Sequence, residues 1–437
     1  MRLLDPNVPF APQRLPFFYG WVVVGAATLG LLASIPGQTM GVSVFTDHLI
    51  AATGVSRLTL STAYLVGTVA SGLLLPRGGI LLDRLGSRGT AVLAAAGLGV
   101  TLVFLSQVDA VAHGLGSRMG IPTAMAVASL VLGFVALRFT GQGMLTLASR
   151  TMLGKWFDRR RGTVAGISGV FASIGFSGSP LLLSLWIDAA GWRGAWQGMA
   201  LLVGFGVAAL AWLLFRDNPE ECGLEMDGGP GPRAAADDGP RADPPRDLDR
   251  AAALQTSAFW AVTLALGLHG MMITGVTFHI VDLGAGAGLN EKQVVALFLP
   301  MAVVSTSMQV FVGVTADRVR IKWLVVVMLL FEMLGLTCAA HLGKDATRWL
   351  AVAGLGAVGG FFGPLSTVAL PRLFGRTHLG AIGGAQMMAM VIASALGPTL
   401  LALARTHAGS YTPALYGGAA LAAPVLVLAL RSTNPRR

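Results

Sequence analysis

The sequence predicts an all-helical membrane protein of twelve spanning helices, arranged as two pseudo-symmetric six-helix bundles. Three observations carry this: a composition too apolar for water, twelve apolar runs of spanning length, and a pattern that repeats between the two halves. Of 437 residues, 54% are hydrophobic and 12% charged, with a mean hydropathy of +0.69. Soluble domains carry about a quarter charged residues, and a single core stops growing near roughly 250–300 residues. The apolar surplus must therefore face lipid. This excludes a soluble globular enzyme and a disordered chain. The two cysteines, Cys222 and Cys338, build neither a disulfide framework nor a thiolate metal site.

The net charge is +10, from 31 Lys and Arg against 21 Asp and Glu. The basic residues stand in short gaps between apolar runs, with no aromatic interleaving of the kind that stacks bases. The charge therefore reads as membrane topology, and no nucleic-acid partner is expected.

A spanning helix needs about 20 mostly apolar residues. Runs of that kind occupy 18–45, 58–82, 89–108, 122–150, 163–187, 194–215, 257–282, 293–316, 321–341, 348–371, 379–404 and 411–431. They are too long and too uniformly apolar for the alternating strands of an outer-membrane barrel. The first run is longer than a signal peptide and lacks a small-residue cleavage site, so it reads as a retained helix. Pro36 and Gly37 should kink it. The 58 glycines cluster inside spans, as at Gly354, Gly356, Gly359, Gly360 and Gly363. In lipid, small residues let helix backbones approach closely.

Alternating the twelve spans from a cytoplasmic N-terminus places 21 of the 31 basic residues on the cytoplasmic side and 7 on the other, with Arg77, Arg138 and Arg150 inside spans. Basic residues favour the cytoplasmic side, so both termini are expected there, in a cell inner membrane. One connection is long. From Arg216 to Arg250 the chain holds six prolines, five glycines and 10 of the 21 acidic residues, a composition expected to remain solvated. The expected organisation is a tail over 1–16, a six-helix bundle over 17–215, a cytoplasmic linker over 216–255, a second bundle over 256–431 and a tail over 432–437.

The halves echo each other. Gly79-Ile80-Leu81-Leu82-Asp83-Arg84 stands at the junction of spans two and three, and Gly313-Val314-Thr315-Ala316-Asp317-Arg318 at that of spans eight and nine. Both read G-x-x-x-D-R. Gly162, Gly166 and Pro180 of span five recur as Gly380, Gly384 and Pro398 of span eleven at one constant offset. Parallel six-span repeats are a transporter arrangement.

Over its whole length the chain resembles the major facilitator superfamily of transporters. The loop Gly79…Asp83-Arg84-Leu85-Gly86-Ser87-Arg88 is similar to that superfamily's G-x-x-x-D-R-x-G-R-R motif, with Ser87 at the first of the two final basic positions. Arg138-Phe139-Thr140-Gly141-Gln142 resembles its fourth-span R-x-x-x-G pattern, displaced by one residue. Gly166…Gly175…Ser179-Pro180 resembles the fifth-span antiporter motif, but Ser179 stands where glycine is usual and no glycine pair follows Pro180. Tyr19-Gly20-Trp21-Val22-Val23 and Gly154-Lys155-Trp156-Phe157-Asp158-Arg159-Arg160-Arg161-Gly162 are similar to the oxalate/formate antiporter and monocarboxylate porter branch.

The resemblance implies the major facilitator fold, alternating access and a central cavity. It also implies a latch, in which Gly79, Asp83, Arg84, Arg88, Asp317 and Arg318 hold one state closed on the cytoplasmic side. The plainer reading of those residues is turn anchorage at the headgroups.

Ionisable residues deep in spans are costly and point to function. Arg138 lies 17 residues before Lys155, about 25 Å along a helix, too far to reach the cytoplasmic surface. Arg77 and Arg150 lie close enough to the interface to snorkel. Gln38, Tyr64, Arg138, Gln142, His269, His279 and Gln309 are the expected substrate contacts, with Arg138 and Gln38 foremost. His269, His279, Asp282 and Glu332 are candidates for carrying a coupling proton, although a satisfied neutral histidine is the commoner finding.

No metal-spaced His/Cys cluster, phosphate-cradling loop or nucleophile–base set stands in the sequence, so neither enzymatic activity nor a cofactor is expected. Without a nucleotide site, transport should run on gradients. A small organic anion, a mono- or dicarboxylate, is the expected cargo, because the deepest charge is positive. Proton symport and anion exchange both stay open, and a monomer in the bilayer is expected. Efflux of drug-like amphiphiles by proton antiport is the alternative within transport. A membrane sensor on the same scaffold is the alternative outside it, disfavoured by a linker too short and polar to be a signalling domain.

Overall fold

The computed structural model describes residues 5–229 and 247–436. Among the described residues, ten helices are long and apolar enough to cross a membrane. Two of them are double length: Arg57–Ser106 has 50 residues and Arg161–Leu214 has 54. At about 1.5 Å per residue either would be more than twice the ~30 Å hydrocarbon thickness. Each breaks at a glycine with positive φ, Gly86 at 72° and Gly191 at 70°, a conformation that costs glycine little. Each is therefore two spans, which makes twelve. They are span one (Gly20–Ser43), two and three (either side of Gly86), four (Pro122–Trp156), five and six (either side of Gly191), seven (Ser257–Ala285), eight (Glu291–Ala316), nine (Ile321–Ala339), ten (Asp345–Phe374), eleven (Leu379–Ala408) and twelve (Thr412–Arg431).

One helix escapes the hydropathy reading. Val108–Met119 continues span three beyond a bend at Gln107, over a stretch read as a loop. Its polar composition hides it from a search for apolar runs. It ends where Gly120 turns left-handed, its amide donating to the Gly116 and Ser117 carbonyls. Pro122, at the first position of span four, then starts the return.

Contacts divide the chain into two compact units. One comprises Met1–Trp156, Phe171–Gly239 and Gly383–Ala385; the other comprises Phe157–Val170, Pro240–Ile382 and Gln386–Arg437. This differs from a division at the linker alone, and the repeated glycines give the reason. In the second unit, a Cβ on Gly313 would lie 2.8 Å from the Gly162 carbonyl and 2.9 Å from the Gly166 Cα. In the first, a Cβ on Gly384 would strike the Leu75 carbonyl and approach the Gly79 Cα to 3.2 Å. Helices crossing backbone to backbone leave no room for a side chain. The glycines of the sequence echo therefore stand at the crossings of Phe157–Val170 within the second unit and of Gly383–Ala385 within the first.

The linker's two ends are not solvated coil. In the first unit, the Asp217 carboxylate accepts from the Ser87 amide (2.7 Å), the Ser87 hydroxyl (2.9 Å) and the buried Lys155 ammonium (2.6 Å). In the second, Asp247 accepts from the Arg376 amide (2.8 Å), the Thr377 amide (3.0 Å), the Thr377 hydroxyl (2.8 Å) and the Arg436 guanidinium (2.9 Å). Each loop so gripped begins at a positive-φ glycine, Gly86 or Gly375, where a Cβ would crowd the gripping carboxylate. The middle of the expected linker, 230–246, lies outside the described residues.

Burial alone would raise the Asp247 carboxyl, but the Thr377 hydroxyl, the two amides and the Arg436 charge outweigh it and hold it below its ordinary value. A carboxyl depressed on folding adds stability above its unfolded pKa of about 3.9 and loses it as pH falls through the folded value. Asp247→Asn should therefore melt lower than the native chain at pH 7, and the gap should close in acid. Thermal melts at both pH values check this.

The N-terminal tail packs beneath the first unit. Arg88, 4% exposed, donates to the carbonyls of Trp212 (2.6 Å), Asp5 (2.9 Å) and Val8 (2.7 Å). Arg216, 1% exposed, donates to those of Pro6 (2.6 Å), Leu213 (2.9 Å) and Phe215 (2.8 Å) and lies over the rings of Phe10 and Tyr19. Burial beside this clasp pushes the Cys222 thiol up to about 12. Cys222 should accordingly resist maleimide at neutral pH until the protein is denatured, because the thiolate is the reactive form; mass spectrometry of labelled protein reads this directly.

Candidate functional site

The first unit places Arg138 where two helices lose their regular form. Span four widens into a π-helical segment over Arg138–Leu145, a distortion frequent at functional sites. Span one breaks into a 3-10 turn over Ile35–Gly37, enforced by Pro36. The two distortions meet. A Cβ on Gly37 would lie 2.6 Å from the Leu137 carbonyl and 2.8 Å from the Gln142 amide and Gly141 Cα. The break leaves the Gly37 carbonyl without a helical donor, and Arg138 Nη1 donates to it at 3.0 Å.

Arg138 is 4% exposed. Its other neighbours are the Thr39 hydroxyl at 3.4 Å and the Tyr64 ring, 5.5 Å from guanidinium carbon to ring centroid. The Tyr64 hydroxyl donates to Thr39 at 3.0 Å. Thr39 is exposed and Tyr64 half-buried, so the guanidinium lies under a rim that opens outward from the unit. Its Nε is buried without a hydrogen-bond partner. Gln38 donates to Ser34 at 3.0 Å on the same broken turn, and Gln142 lies half-buried one turn along the widened helix. The structure thus gathers Gln38, Tyr64, Arg138 and Gln142 from spans one, two and four, and adds Thr39, which sequence reasoning passed over because a lone threonine gives no signal.

The second unit sorts the other candidates differently. His269 does not face an open cavity. It is 4% exposed, and its Nδ1 lies 2.9 Å from Glu332 Oε2, itself on a residue 1% exposed. His279 Nε2 meets the Pro398 carbonyl at 3.0 Å and its Nδ1 the Tyr411 hydroxyl at 3.3 Å. Tyr411 donates to Asp282 at 2.8 Å, and Arg405 donates to the same carboxylate at 3.1 Å. The His279 and Asp282 candidates therefore join one polar cluster at a span end, beside a cavity of about 320 Å³ lined in part by Arg405, Lys344 and Ser410. Gln309 is buried, with its amide nitrogen 2.5 Å from where a Cβ would stand on either Gly169 or Gly363, and with Oε1 unpartnered.

Of the residues singled out as a latch, Asp317 caps a helix. Its carboxylate accepts from the Gly162 amide (2.5 Å), the Thr163 amide (2.9 Å) and the Thr163 hydroxyl (2.7 Å). Those amides open the helix beginning at Arg161, where a negative charge is favoured. Arg88 is held by carbonyls, as described above. Arg84 and Arg318 are exposed, Asp83 is half-buried, and Gly79 lies at the Gly384 crossing. Among the described residues no group of three His, Cys, Asp or Glu side chains is placed to hold a metal.

A family model described as the Major Facilitator Superfamily matches residues 26–398. The chain belongs to the Major Facilitator Superfamily. Solved superfamily structures share its fold. A human organic anion transporter, MFSD10 (TETRAN), superposes with a TM-score of 0.64 at 16% identity, covering 95% of this chain and 100% of that one. The proton:xylose symporter XylE, bound to 6-bromo-6-deoxy-D-glucose, gives 0.64 at 14% identity, covering 94% of each. FucP in its outward conformation gives 0.63 at 13% identity, covering 95% and 100%. No curated protein sequence matches the chain. Membership makes it a multi-pass membrane protein and a secondary transporter rather than an enzyme.

Proposed function

We propose that this transporter moves a small organic anion, a mono- or dicarboxylate, by alternating access. The observation that carries the reading is Arg138: a buried guanidinium with an unpartnered Nε, under a rim of Thr39 and Tyr64 and beside a break in span one. A guanidinium in an apolar surround must meet an anion, carbonyls or water. One backbone carbonyl satisfies part of its fork, and the remainder suits the two oxygens of a carboxylate. The likeness of Tyr19–Val23 and Gly154–Gly162 to the oxalate/formate and monocarboxylate branch agrees with this cargo. The excess of basic residues at one side supports an inner-membrane orientation with both termini cytoplasmic. In this reading Asp83 and Asp317, with the glycine crossings, hold one state of the cycle and release it as the conformation changes.

A thermal-shift panel on the purified chain tests the cargo, because a ligand that binds the folded state raises its melting temperature by mass action. Carboxylates should stabilise the protein, while sugars, amino acids and cationic drugs leave it unchanged. Stabilisation by cationic amphiphiles alone would replace this reading with drug efflux.

A further inference from the structure

We propose that His269 and Glu332 together form the site that carries a proton through the transport cycle. The two come from spans seven and nine, 63 residues apart, and meet at 2.9 Å with almost no exposure. The Phe362 ring from span ten lies 5.9 Å from the imidazole, and Glu332 Oε1 is buried with no hydrogen-bond partner. An ionised carboxylate with an unsatisfied oxygen is costly there. A pair that holds one proton between Nδ1 and Oε2 is neutral overall and avoids that cost.

The surroundings leave the pair to itself. On span seven the other titratable groups are His279 and Asp282, tied to Pro398, Tyr411 and Arg405 as described. Span nine otherwise carries Lys322 in its first turn and Cys338 in its last. Span ten has Asp345 and Arg348 in its first turn and Arg372 in its last; span twelve has Tyr416 in its second turn and Arg431 at its end. Span eight has Glu291 and Lys292 at its start, and Arg250 lies in the short helix before span seven. Span eleven, which crosses span seven at Gly275 and Gly397, has Arg405 and His407 in its last turn; apart from His279, each of these groups stands near the end of its element.

The proton balance follows from environment. The pair takes a proton from water on the side to which it first opens, holds it between Nδ1 and Oε2 while shut, and gives it to water on the other side. Opening to opposite sides in turn moves one proton per cycle, and the solute moves with or against it. This deepens the transporter reading without depending on which solute is carried.

Two measurements on the full chain test it separately. Infrared difference spectra of the purified protein, titrated between about pH 5 and pH 8, should show a carboxyl ionisation that vanishes in Glu332→Gln and shifts in His269→Gln. In proteoliposomes preloaded with a pH dye, a proton gradient should drive uphill uptake of a labelled carboxylate in the native chain. Glu332→Gln should lose uphill uptake and its dye signal while still exchanging carboxylate for carboxylate, and Glu332→Asp should retain both. Absence of any Glu332-dependent ionisation in that pH range overturns the proposal and leaves the pair as a static pin between two helices. So does uphill uptake that persists in folded Glu332→Gln. If the native chain moves no carboxylate, the anion reading falls and the infrared titration alone decides the proton site.

Discussion

Arg138→Ala should abolish carboxylate binding while the protein still folds, and Arg138→Lys should reach the membrane yet transport poorly. The guanidinium sits on a widened turn of span four, donates to the Gly37 carbonyl and keeps Nε unpartnered. Truncating one partner of a desolvated charge pair costs about 3 kcal/mol or more, roughly a hundredfold in affinity. Lysine keeps the charge but loses the planar fork that meets both oxygens. Binding measured by melting shift on purified protein, with uptake into proteoliposomes, separates the two variants. If folded Arg138→Ala binds the same anion with unchanged affinity, Arg138 is a structural clamp on span one and the carboxylate reading loses its support.

The second large effect is expected from Asp83→Asn combined with Asp317→Asn. Asp317 caps the helix that starts at Arg161 through three hydrogen bonds, beside the crossing of Gly313 with Gly162 and Gly166. If these residues form the proposed latch, removing the charge weakens an interaction made in one state of the cycle and so changes populations without touching bound solute. Uptake should fall severely while equilibrium affinity stays within about threefold, a shift below 1 kcal/mol. An equal loss of affinity and uptake would make these residues part of the binding site or of the folded core instead of a latch.

Particular residues show what sequence could and could not reveal. Spans were legible because the bilayer demands about twenty apolar residues in a row, and the break of span one because Pro36 removes a helical donor. The G-x-x-x-D-R echo was legible as a repeat, but its purpose was not. Nothing in one dimension says that Gly313 lies on Gly166, or that Gly384 lies on Gly79. Arg138 announced itself, since a charge inside an apolar run is costly wherever it sits. Its rim did not, because Thr39 resembles any helix threonine until Tyr64 points at it. His269 and Glu332 each stood out alone, but a pair 63 residues apart has no periodic signature. The helix Val108–Met119 was hidden by its polarity. Asp217 and Asp247 were absorbed into an acidic stretch read as solvated, although each directly follows an arginine, Arg216 and Arg246.

Those two aspartates bear on how the chain tolerates cutting and joining. Each half carries its own clip: Asp217 fastens the departing chain to Ser87 and Lys155, and Asp247 fastens the arriving chain to Arg376, Thr377 and Arg436. A nick, a protease site or an inserted fluorescent domain between 230 and 246 would leave both fastenings intact, whereas the same insertion after Asp247 would separate a clip from the half it closes. A chain expressed as two pieces cut between 230 and 246 should keep each aspartate with the partners it holds here, and co-purification of the two pieces checks this.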